Sequence, residues 1–150
     1  MKTPVFLRNA ALLMAFLLPA MTAGQPPGSG QPGSGQLAAP QSTGLVLGES
    51  TVCEEVRNGT PEQAAVAFSV DLKRVYCYTD FKKVPEKSFA YHNWYLRDNL
   101  KASVKLTVRP PRWSTYSSIQ LRDSDKGPWR VEVTDEEGII LKTLRFSVID

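Results

Sequence analysis

Beyond about residue 45, apolar and polar positions alternate with a period of two, the pattern of half-buried β-strands. Val66, Phe68 and Val70 alternate with Ala67 and Ser69, and Val75, Cys77, Thr79 and Phe81 alternate with Tyr76, Tyr78 and Asp80. Ala102, Val104, Leu106 and Val108 alternate with Ser103, Lys105 and Thr107. The same rhythm returns in Trp129, Val131 and Val133 and again in Leu144, Phe146 and Val148. A first strand is expected around Thr51–Val56, and a further one carries His92. No stretch sustains a helical period, although Pro61–Ala67 has the makings of a short helical turn. Turn-forming residues separate the runs: Asn58-Gly59-Thr60-Pro61, Arg97-Asp98-Asn99, Asp125-Lys126-Gly127-Pro128 and Asp135-Glu136-Glu137-Gly138. The pattern predicts an all-β fold, an immunoglobulin-like antiparallel β-sandwich of about seven or eight strands, in one domain over residues 45–150.

The segment before this domain has a different character. Met1–Ala23 reads as a secretory signal, with Lys2 and Arg8 in a positive n-region and an apolar run over Ala10–Leu18. That run is too short to span a membrane comfortably, and Pro19 breaks it. Gly24–Gly44 reads as a flexible linker rich in Gly, Pro, Ser and Gln, with too little apolar surface to offset its ordering entropy. The chain is therefore expected in the periplasm or outside the cell, with no stable transmembrane segment once the signal is cleaved.

Charge and cysteine content narrow the function classes. Losing Met1–Ala23 removes two basic residues and no acidic ones, which lowers the formal net charge from +3 to +1. Nucleic-acid binding needs a concentrated basic footprint, so it is not expected. The two cysteines, Cys53 and Cys77, are expected to form a disulfide, because an exported chain with an even count favours one.

His92 is the single histidine. It cannot by itself assemble a three- or four-ligand zinc site, so neither a metal nor another cofactor is expected. Paired with Ser114, Ser117 or Ser118, and oriented by Asp80 or Asp98, it has the residue types of a nucleophilic triad. No glycine-flanked serine elbow supports that chemistry, and the chain is not expected to be an enzyme. The plainer reading is that His92 hydrogen-bonds a neighbouring strand. At least two of Trp94, Trp113 and Trp129 are expected in the core.

The binding candidates are basic and aromatic. Lys101, Lys105 and Arg109 fall at even spacing, with Arg112 nearby, and are expected to share one outward face that could meet an anionic partner. Tyr116, with Tyr76, Tyr78 and Tyr91, could stack on a sugar or anchor a protein.

Several landmarks together carry a resemblance: Cys53, Pro61, Phe68, Val75-Tyr76-Cys77-Tyr78-Thr79, His92-Asn93-Trp94, Trp113 with Tyr116-Ser117-Ser118, Gly127-Pro128-Trp129-Arg130-Val131, Asp135, Gly138 and Phe146. These residues resemble the bacterial family called domain of unknown function 2914. The resemblance implies an exported or envelope-associated β domain without a known enzymatic activity, and it supplies no mechanism. The expected function is a non-enzymatic envelope module that binds another protein. The alternative is a carbohydrate-binding module for a cell-wall or surface glycan or anionic polymer.

Overall fold

The computed structural model describes residues 43–150. The expected signal and all but the last two positions of the expected linker lie outside the described residues. Nine strands follow in order: β1 Val46–Arg57, β2 Thr60–Ala64, β3 Ala67–Ser69, β4 Arg74–Lys83, β5 Ser88–Leu96, β6 Asn99–Val108, β7 Trp113–Gln120, β8 Gly127–Asp135 and β9 Ile140–Ile149. They form a β-sandwich of two sheets, with strand orders β2-β1-β4-β7 and β3-β9-β8-β5-β6. All pairings are antiparallel except β3 with β9, which is parallel.

The period of two decides what is buried. On β5, Ala90, His92, Trp94 and Leu96 point inward, while Phe89, Tyr91, Asn93 and Tyr95 stay half-exposed on the outer face. On β8, Trp129, Val131, Val133 and Asp135 take the inward positions. The core joins these to Val52, Val75, Cys77 and Phe81 of the four-stranded sheet and to Phe146 and Val148 of β9. Phe146 is its aromatic centre, meeting Phe68 and Trp94 edge-on and lying parallel to the Trp129 ring. Trp94 and Trp129 are thus interior, and Trp113 packs half-buried against the same cluster.

Local chemistry overrode the alternation in two places. Asn58 and Gly59 both take positive φ, which makes a two-residue hairpin turn. The chain after them pairs back on β1 as β2, where a helical turn had been expected. The Val66–Val70 run ends early because the Ser69 hydroxyl accepts a hydrogen bond from Asp71 N and starts a 3-10 turn over Val70–Leu72. Val66 is left 77% exposed.

The expected disulfide is corrected by the register. Both cysteines are free and buried. Val52 pairs with Cys77 and Cys53 pairs with Tyr76, so the two thiols leave adjacent strands toward opposite faces of the sheet. Cys77 points into the core, and Cys53 lies between Ala64 and Tyr76 on the outer face. Bridging them would require β1 or β4 to rotate by one residue, which would turn out its buried side chains.

Candidate functional site

His92 does not reach solvent. It lies fully buried on β5, where its Nδ1 is 2.9 Å from Ser117 Oγ and its Nε2 is 3.2 Å from Thr79 Oγ1. Trp94 Nε1 donates to the same Ser117 Oγ at 3.0 Å. Thr79 and Ser117 belong to the four-stranded sheet, and His92 and Trp94 to the five-stranded one. The four side chains therefore pin the two sheets together. Burial drives the His92 pKa from 6.5 down to about 4, which keeps the imidazole neutral.

A serine beside a histidine is half of a nucleophilic pair, but the remaining parts lie elsewhere. Both ring nitrogens of His92 are taken by hydroxyls, so no carboxylate orients the ring. Asp80 faces outward from β4 and accepts two hydrogen bonds from Arg112 and one from Ser114. The Arg112 guanidinium holds the Asp80 carboxyl below its ordinary pKa. Asp98 pairs with Arg130. Among the described residues, no group of three or more His, Cys, Asp or Glu side chains could hold a metal ion.

The four basic candidates do not form one face. Lys105 lies outward on β6 with its ammonium 3.7 Å above the Phe89 ring. Arg112 folds over the other sheet to reach Asp80 at 2.8 Å. Arg109 lies beyond the end of β6, 5.3 Å over the Trp113 ring. Lys101 sits where β6 has one residue more than its partner, opposite the step from Trp94 to Tyr95. The β6–β7 connection carries the basic run from one sheet to the other, so even spacing in sequence does not become one surface.

Tyr116 is placed differently. It projects from the outer face of β7, 51% exposed, and its ring meets Tyr76 edge-on at 6.0 Å. β7 is an edge strand. Proteins usually blunt such edges with charge, proline, a bulge or short length. Here β2 carries Pro61 and a positive φ at Gln63, β3 has three residues, and β6 carries Lys101, Lys105 and a register shift. β7 has none of these: eight residues, WSTYSSIQ, without charge or proline, pair in unbroken register with β4. Its inward residues Trp113, Thr115 and Ile119 remain only half-buried, so its flank is open.

A groove of about 360 Å³ lies at one end of that flank, between Ala102 of β6 and Ser118, Ile119 and Gln120 of β7. Lys101, Arg122 and Trp129 also line it. Such a volume is within the range of ligand-binding clefts. Sequence reasoning missed Thr79, Gln120 and Arg122. Thr79 was legible as an inward position on its strand, whereas nothing in the sequence joins Arg122 to Lys101.

Residues 89–148 match the family model described as "Protein of unknown function (DUF2914)". The matched span runs from Phe89 in β5 to Val148 in β9 and contains the His92-Asn93-Trp94, Trp113 and Gly127–Val131 landmarks. Over that span the family expected from the residues is shown. The earlier landmarks, Cys53 to Thr79, precede it. No match is found among curated proteins.

Proposed function

We propose that this protein, whose residues 89–148 match the DUF2914 model, is an exported, non-enzymatic module that binds another protein by adding one of the partner's strands to β7. One observation carries the reading: β7 is the single edge among the described strands that has no blunting device, and the Tyr76–Tyr116 pair lies beside it. Strand addition draws affinity from backbone hydrogen bonds and specificity from neighbouring side chains. Tyrosine is a frequent anchor at such contacts. The buried His92 cluster then serves to hold β7 in place against the second sheet.

Photo-crosslinking in intact cells tests this reading. A benzophenone side chain at Tyr116 should join the protein to a defined segment of a partner, while the same group at Thr143 on the opposite sheet should not. Equal yields at both positions would overturn it. The Met1–Ala23 pattern supports the exported reading, and the compartment is tested by intact mass. A periplasmic product beginning near Gly24 supports it, and a cytosolic product retaining Met1 overturns it.

The second reading, a carbohydrate-binding module, draws on Phe89, Tyr91 and Tyr95. They lie on the outer face of β5, Phe89 and Tyr91 two apart and Tyr95 four further on with Asn93 between, in the kind of row that a sugar chain stacks on. Lys105 already covers Phe89, and the Arg130 guanidinium lies 4.1 Å over Tyr95. A glycan would have to displace both cations, which makes this face the weaker candidate.

A further inference from the structure

We infer that the β7 edge takes an extended segment with carboxylates at both ends and β-branched residues between them. This rests on the proposed strand addition and specifies the chemistry of the partner. The first support is charge. Among the described residues the cations engaged in ion pairs are Arg57, Lys73, Arg112, Lys126 and Arg130. Among the described residues Lys101, Arg109 and Arg122 are exposed and, like several other surface cations such as Arg74 and Lys142, form no side-chain ion pair. Lys101, Arg109 and Arg122 all border the open flank of β7. Arg109 stands over Trp113 at its first residue, and Lys101 and Arg122 stand beside Gln120 at its last.

The second support is what lines the groove. Asp125 is the single carboxylate there, and its Oδ2 accepts a hydrogen bond from Arg122 N. The two ends of the flank thus present positive charge, and β7 between them, Trp113 to Gln120, carries no charged residue. A strand rises about 3.3 Å per residue, so a partner spanning β7 would carry its carboxylates roughly six to eight residues apart. Opposite Tyr116 it would place a β-branched residue, a favourable cross-strand neighbour of an aromatic ring.

The test uses the intact protein and two eight-residue peptides. One alternates valine and threonine with a glutamate at each end, and the other replaces both glutamates with glutamine. Backbone amide resonances of residues 114–120 report binding at β7. The glutamate peptide should bind roughly fivefold or more tighter than the glutamine peptide, as two or three exposed ion pairs allow. The preference should shrink as salt rises. A double Lys101→Glu, Arg122→Glu variant with an unchanged melting temperature should lose it. Equal binding of both peptides would leave strand addition standing and overturn the acidic preference. Failure of both peptides to move these resonances would overturn both. Shifts that depend on protein concentration alone would make the occupant a second copy of the chain, and would also overturn the inference.

Discussion

His92 Nδ1 lies 2.9 Å from Ser117 Oγ, and the two residues belong to opposite sheets of the sandwich. That contact is the centre of a buried polar cluster with Thr79 and Trp94. Apolar packing between two sheets tolerates sliding, because dispersion has little directional preference. Hydrogen bonds have a narrow range of length and angle, so the cluster fixes how β5 meets β7.

Ser117→Ala should destabilise the protein by about 1–3 kcal/mol, since it leaves Trp94 Nε1 and His92 Nδ1 buried without their shared partner. Urea denaturation measures this. A loss within about 0.5 kcal/mol, the range of ordinary surface changes, would show that the cluster does not bind the sheets together.

His92 should make stability depend on pH. Its folded pKa of about 4 lies below the ordinary 6.5, so between these values the unfolded chain binds the extra proton. The histidine's contribution is complete above pH 6.5 and is lost as pH falls toward about 4, to a total of about 3 kcal/mol. His92→Gln should flatten the dependence in that window when the two proteins are compared by denaturation across pH. Parallel curves would place the linkage on other groups.

Cys53 and Cys77 should both be free thiols, in a chain that has no others. Burial raises both thiol pKa values, most strongly for Cys77, which keeps them protonated and unreactive in the fold. Alkylation of the non-reduced protein should label neither in the native state and both after unfolding. An unfolded, non-reduced chain that takes no label would restore the disulfide and require a different β1–β4 register.

Ser88→Ala should be neutral or should stabilise the protein by up to about 1 kcal/mol. The Ser88 hydroxyl is buried and has no hydrogen-bond partner among the protein groups, so deleting it removes an uncompensated desolvation cost. Thermal denaturation of the variant would detect this. A fall in melting temperature of several degrees would mean that the hydroxyl has a partner, such as a buried water.

The alternation of apolar residues determined the all-β class, most of the strands and the interior position of Trp94 and Trp129, because side chains on a strand switch face at every residue. It made the β8–β9 hairpin legible too, where Asp135 Oδ1 receives Ile139 N and Gly138 takes a positive φ at the turn. Register, neighbour and sheet membership were decided only in three dimensions. Cys53 and Cys77 looked like a bridge until β1 and β4 paired and aimed them apart. Lys101, Lys105, Arg109 and Arg112 looked like one face until the chain crossed from β6 to β7 and carried Arg112 to Asp80 on the other sheet. Arg122 came to stand beside Lys101 by the same closure of the sandwich. The period of two tells a residue which side of its own strand it occupies. Which strand lies alongside depends on contacts between residues far apart in sequence, formed only when both sheets close over one core.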